Sequence, residues 1–440
     1  MKVAAGELTG TSAIRLAELI RTRAVSAVEV VDAHLERIEA VRSRVNAVVR
    51  LDADRAAACA AQADLVLARG DAPGPLHGVP FSVKDNIEAA GIEMAIGVPE
   101  RAGVVPDRDA TVVRRLQRAG AILLGKTNCP PWGGGIETDN PVYGRTNNPF
   151  DLDRTPGGSS GGAAADVASG GAPFGLGTDS GASVRLPAHF CGLASIKPTA
   201  GRVPVTGVVD DLGQIGPLRD SRTQVGVLAR SVADVALVLA AIGGPDGRDG
   251  GVAPVALGDP AAVALGDLRV AVHRDDGIFT PTPGTLAALD AAAEAIRPAV
   301  ARVELASPPA GGHELIHDVW RSYGDEMGAG ELYEVLRRWD AYRGEMLAFA
   351  ARHDVILCPV FPSPAVPHGA TATGGGFDPT SYTTPYSLTG WPAATVRCGA
   401  SAEGLPICVQ VVAGPWRDDV ALAAAQRIEE ALGGWRPPPL

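Results

Sequence analysis

The chain has 440 residues, of which 46% are hydrophobic and 20% charged, enough to bury one large core or two ordinary ones. A formal net charge of -11 with no basic stripe excludes a nucleic-acid backbone as the expected partner. No run approaches the ~20 apolar residues that cross a bilayer, and the N-terminus lacks the apolar stretch of a secretory signal, so a cytoplasmic protein without a membrane partner is expected.

In chain order, two helices are predicted to open the protein. Ser26 and Glu29 have the spacing of a capping box, and Val30, Val31, Leu35, Ile38 and Val41 follow at helical period. After a Gly/Pro-punctuated stretch, GVPFSVKDN reads as a buried strand ending at Lys84 and Asp85. Residues 110–119 read as a helix and AILLGKTN as a second strand, the alternation of an α/β sheet with covering helices. Ser231 and Asp234 suggest another capping box, before a buried helix that Gly243 and Gly244 stop. Residues 245–266 read as a loop, LRVAVHRD as a strand and 285–299 as a helix. The stretch 324–352 is amphipathic, and DVILCPVFP returns as a buried strand. A strand pair around LPICVQVVAG and a helix over 419–432 complete the pattern, with WRPPPL unable to extend it. No internal repeat or long linker divides the chain. Its six cysteines, Cys59, Cys129, Cys191, Cys358, Cys398 and Cys408, lack CxxC spacing and read as reduced thiols.

Glycine and serine crowd residues 156–204, and AAADVASGGAPFGLG within them reads as a helix and a strand, which a flexible linker would not contain. Neither phosphate-loop pattern, GxxxxGK[ST] or GxGxxG after a strand, is present. Backbone N–H groups in a glycine-dense turn can converge on an anion, and a serine there can serve as a nucleophile. That composition suggests acyl transfer, but a serine hydroxyl needs a base. His189 lies nearby in the sequence with no orienting carboxylate in PAHF, so the residues alone do not supply one.

The pattern GGSSGG, GTDSGAS, an Arg two residues on, and KPTAGR resembles the amidase signature family. GVPFSVKDN, TDNPVYGRTNNP, QVGVLARSVADVAL and YTTPYSLTGWPAATV resemble further landmarks of that family, so the likeness covers about two-thirds of the chain. It implies one α/β domain, a central mixed twisted β-sheet surrounded by α-helices. Within residues 1–440 it implies N-terminal helices over 1–65, a catalytic core over 66–244, a variable region near the substrate entrance over 245–350, and the rest of the core over 351–440. It implies Ser183 as nucleophile, Ser159 as the bridging serine after a cis peptide bond from Gly158, and Lys84 as base. The N–H groups of Ser180, Gly181, Ala182 and Ser183 match its oxyanion hole, and Ser160, Thr178, Asp179 and Arg185 its supporting polar residues. Gly133 and Gly134, with Gly135, are expected to border the substrate pocket.

On spacing alone, Lys84 reads more simply as a surface residue or a partner of Asp85; the complete set of three reverses that. Ala182 stands where a second glycine is common and is compatible with negative φ. Ser195 replaces another frequent glycine. His313-Glu-Leu-Ile-His317 matches HExxH, but this short pattern is read as a solvated helix face rather than a zinc site. The resemblance therefore implies an amidase that hydrolyses a carboxylic amide through an acyl-enzyme, releasing ammonia or an amine, with no metal or organic cofactor. The expected partner is a small-molecule amide, and a homodimer fits a family in which many members pair. Two alternatives share the chemistry: the glutaminase component of a tRNA-dependent amidotransferase, and an amide-forming acyltransferase. The family's glutaminase branch carries an aspartate where Thr380 stands here, which opposes glutamine as the substrate.

Overall fold

Strands buried on both faces need not alternate apolar and polar residues, and PFSVK and QVGVLA are buried at every position, Ser82, Lys84 and Gln224 included. A computed structural model describes residues 5–211, 213–216, 222–322, 327–371 and 380–440. The strands are β1 (Val48–Leu51), β2 (Pro80–Lys84), β3 (Ile122–Thr127), β4 (Phe174–Asp179), β5 (Ala194–Lys197), β6 (Val209–Asp210), β7 (Gly213–Gln214), β8 (Gln224–Ala229), β9 (Arg269–Val272), β10 (Arg302–Leu305), β11 (Val355–Pro359), β12 (Ala393–Ala400) and β13 (Pro406–Ala413). Among the described residues, eleven form one sheet in the order β1-β3-β2-β4-β8-β5-β12-β13-β11-β9-β10, and β6 pairs with β7 separately. Parallel and antiparallel pairs mix, as expected, and helices flank the sheet in a single domain. The central strands come from both halves of the chain, so one sheet unites them.

β2 lies between β3 and β4 and runs parallel to both. Parallel neighbours bring their carboxyl ends to the same edge of a sheet, where open α/β folds place their sites. Lys84 ends β2 and Asp179 ends β4, so the topology delivers both to one edge.

The N-terminal region is richer than expected. Three helices precede β1, Ala5–Gly10, Ala13–Arg21 and Ala27–Val45, and a fourth, Ala53–Ala68, follows it. The Ser26 capping box forms, with Glu29 N–H donating to Ser26 Oγ (3.0 Å) and Ser26 N–H to Glu29 Oε2 (2.9 Å). The Ser231 box is only half realised. Asp234 N–H donates to Ser231 Oγ (3.2 Å), but the Asp234 carboxylate accepts from Ala13 N–H (3.0 Å) and Ile14 N–H (2.9 Å). It thus satisfies the orphan donors of another helix, a tertiary use no local pattern announces. The helix expected over 285–299 is Pro283–Ile296 followed by a 3-10 turn, and the amphipathic stretch contains helix Ala329–Ala350. Residues 324–326 of that expectation lie outside the described residues. The last helix is Asp418–Leu432. Among the described residues no helix is long and apolar enough to cross a membrane.

Candidate active site

Lys84 is wholly buried. Its Nζ donates to Ser159 Oγ (2.6 Å) and to Thr178 Oγ1 (2.8 Å), and Asn86 Nδ2 donates to the same Thr178 oxygen (3.3 Å). Burial disfavours the charged amine and lowers its pKa to about 8, partly opposed by Cys129 and Asp179. Asp85 does not neutralise it: the Asp85 carboxylate accepts from Ile96 N–H (2.6 Å) and faces Lys126 at 3.7 Å. Lys84 is therefore an amine held among hydroxyls at the sheet edge, neither the surface residue nor the Asp85 partner of the simpler reading.

The Gly158–Ser159 peptide is cis. Ser160 follows it and locks the turn to β4, since Thr178 N–H donates to Ser160 Oγ and Ser160 Oγ to Thr178 O, both at 3.2 Å. Gly177 is required beside this contact, because a Cβ there would lie 2.5 Å from Ser160 Oγ. Ser160 N–H also donates to Ser183 O (3.0 Å), which ties the Ser159 turn to the Ser183 turn. Ser180, Gly181 and Ser183 are half-buried, whereas Lys84 and Ser159 behind them are enclosed.

The loop after β4 is held from inside by one ion pair. Arg185 Nε and Nη2 donate to the two Asp179 carboxylate oxygens (3.0 and 2.8 Å), and the backbone N–H groups of Val184 and Arg185 donate to Asp179 Oδ2. Burial alone would raise the Asp179 pKa, but Arg185 and these N–H groups hold it below the usual carboxylate value. The same guanidinium reaches Gly181 O, Thr383 O, Ser387 Oγ and Gln410 Oε1, each at 2.8 Å. Among the described residues, the N–H groups of Ser180, Gly181, Ala182 and Ser183 donate to no protein acceptor, in contrast to the next two in the chain. Ala182 is absent from the residues with positive φ, so its side chain is accommodated without strain.

Gly133, at φ +70°, adjoins the amine: a Cβ there would lie 3.5 Å from Lys84 Nζ and 3.7 Å from Asn86 Nδ2. Gly134 is exposed and approaches only Pro131 O, and Gly135 has open space beside it. Ser195 is buried in β5, away from these contacts. His189 is no base. It is buried, Nδ1 accepts from Cys408 N–H (3.0 Å), the other ring nitrogen donates to Ser363 O (3.0 Å), and burial lowers its pKa to about 4.

The HExxH segment corrects an expectation. It lies on helix Gly312–Arg321, but His313 is buried rather than solvated and its Nδ1 is 3.1 Å from Thr384 Oγ1. His317 is half-buried and stands edge-on to Trp320. A Cβ on Gly181 would lie 3.2 Å from Trp320 Cζ2 and 3.7 Å from Thr384 Cγ2. This helix thus borders the Ser180–Ser183 loop, a role that the short pattern did not signal. Asn86, Thr383, Thr384, Ser387 and Gln410 were likewise missed, because each reaches the site only through tertiary contact.

The sequence profile of the Amidase family matches residues 29–320 and 325–422. A glutamyl-tRNA(Gln) amidotransferase component from Anaeromyxobacter sp. (strain K) is 36% identical, over 96% of this chain and 96% of that protein. The structure of 6-aminohexanoate cyclic dimer hydrolase with its substrate superposes with a TM-score of 0.88 at 28% identity, covering 98% of this chain and 99% of that one. The peptide amidase of Stenotrophomonas maltophilia superposes with a TM-score of 0.80 at 27% identity, over 97% and 98% of the two chains.

Proposed function

This chain belongs to the amidase family, and from that premise we propose that it hydrolyses a small carboxylic amide through an acyl-enzyme on Ser183. The observation that carries the reading is the buried Lys84 amine, with a pKa lowered to about 8, hydrogen-bonded to Ser159 at 2.6 Å. Neutral Lys84 accepts the Ser159 hydroxyl proton while Ser159 takes the proton of Ser183, whose Oγ attacks the amide carbon. The N–H groups of Ser180–Ser183 stabilise the tetrahedral oxyanion, an effect worth about 3–4 kcal/mol per donor in comparable sites. On collapse the proton returns through Ser159 to the departing amine, and water repeats the sequence to release the acid. Thr178, itself held by Asn86, holds Lys84, and Gly133 leaves its surroundings open to substrate. Among relatives, the amidotransferase name favours a glutaminase acting within a larger complex. Thr380, buried beside the Thr383–Thr384 turn, offers a hydroxyl where that activity calls for a carboxylate to meet an α-ammonium. We therefore favour hydrolysis by the chain itself, of an amide other than glutamine, in the cytoplasm.

Incubation of the purified chain with a small sulfonyl fluoride should place one adduct on Ser183, mapped by mass spectrometry. Labelling should vanish in Ser183→Ala and slow strongly in Lys84→Ala; an adduct elsewhere, or none on folded protein, sinks the proposal. The acid limb of catalysis carries a second expectation. The base works unprotonated, so kcat/KM should fall as pH drops through about 8, reaching about one-hundredth of its plateau near pH 6 for a single ionisation. A profile flat from pH 6 to 9 with a chemically limited substrate would remove Lys84 from the base role.

A further inference from the structure

The end of β12 carries a second concentration of charge. A cavity of about 160 Å³ is lined by Arg397, Cys398, Gly399, Ala400, Gly434 and Arg436, with Leu432 at its side, and no carboxylate among them. Arg397 is only 8% exposed. Its Nε has no hydrogen-bond partner, and Nη1 has one marginal contact, 3.5 Å from Gly434 O. Arg436 is exposed. Among the described residues neither guanidinium pairs with an acid. Burial lowers the Arg397 pKa, and the charge of Arg436 adds to that lowering, so the two cations repel across the cavity.

Two like charges, one of them nearly desolvated, are a costly arrangement unless an anion offsets them. Among the described residues no carboxylate lines the cavity to supply that anion. Glu429 accepts from Val232 N–H, Glu403 accepts from Ser401 Oγ, and Leu440 packs with Val41 and Val45 in another part of the molecule. Local geometry favours an external ligand. β12 changes register against β13 between Arg397 and Gly399, and its pairing with β5 stops at Thr395 opposite Ser195, so among the described residues β12 has no strand partner on that edge beyond this point. Paired guanidiniums are matched by the several oxygens of a tetrahedral oxyanion, which each fork can engage through two N–H groups.

We propose that Arg397 and Arg436 form a binding site for a small tetrahedral oxyanion, inorganic phosphate or a phosphomonoester group, that fastens the segment after the last helix to β12. The site is independent of the acyl-enzyme chemistry. Calorimetric titration of the whole chain with inorganic phosphate, at constant ionic strength maintained with chloride, tests it, together with thermal unfolding over the same concentrations. One saturable site is expected, with an unfolding temperature that rises with occupancy, as for any ligand of the folded state alone. Arg436→Gln, at an exposed position, should fold normally and weaken phosphate at least tenfold. Arg397→Gln should remove the site, whereas Arg343→Gln on a distant helix should leave it intact. Phosphoserine in place of phosphate distinguishes a phosphomonoester from the free ion: tighter binding assigns the former, weaker binding the latter. No saturable binding to the wild type, or equal binding to Arg436→Gln, overturns the proposal.

Discussion

Ser183→Ala should lower kcat for any amide substrate by at least about 10⁴-fold while KM changes by no more than a few-fold, because the hydroxyl forms the covalent bond and contributes little to ground-state binding. Ser159→Ala and Lys84→Ala should fall in the same range. The double variant Ser183→Ala/Lys84→Ala should be scarcely worse than either parent, since residues that act as a unit lose their effect together. Additive losses would mean that Lys84 and Ser183 serve separate steps. Folding need not be lost in these variants: Ser183 is half-buried, and removing Lys84 deletes a buried amine that burial already disfavours in its charged form. Single-turnover kinetics on folded, monodisperse protein provide the measurement, and an activity loss under tenfold in Ser183→Ala would refute the acyl-enzyme.

How much of this was legible depends on where each interaction comes from. The helix Gly161–Ser169 and β4 were readable within 156–204, because small residues and an apolar run declare a tightly buried helix and strand locally. The oxyanion loop was readable in part, since the Gly and Ser density marked a turn. Lys84 was not. Ending a buried strand places it for burial, but nothing local names its partner: it meets Ser159, 75 positions away in the chain, only because β2 is the parallel neighbour of β4. Resemblance supplied what periodicity could not. Neither source anticipated His313 against Thr384 or Asp234 capping Ala13–Arg21, since both are set by helix packing across more than 70 residues of chain. Residues 53–68 show a different failure: their Ala-rich helix has little amphipathic contrast, so its period was faint beside the Gly/Pro-rich segment after it.

Arg185 is the residue whose loss should cost most in folding and catalysis together. It is fully buried, paired with buried Asp179, and its hydrogen bonds join the Ser180–Ser183 loop to Thr383, Ser387 and Gln410, which lie 198–225 positions further along the chain. Arg185→Ala would leave the Asp179 charge buried and unpaired, a change that typically costs about 3–5 kcal/mol. That is a large part of the roughly 5–15 kcal/mol available to an ordinary fold, so this variant is expected to be insoluble or to unfold at markedly lower denaturant. Arg185→Lys is the sharper test. The charge remains, yet one ammonium cannot span the positions of a planar fork, so the loop carrying Gly181 O is released while Asp179 stays neutralised. Folding should survive, with a lowered denaturation midpoint. A shift of about 1 Å in the oxyanion donors would reduce kcat about 100-fold, with KM nearly unchanged and Ser183 labelling slowed in proportion. Should Arg185→Lys lose stability but keep wild-type kcat and labelling, Arg185 would be a structural tie alone, and the alignment of the Ser180–Ser183 donors would have to come from Asp179 and its two backbone N–H contacts.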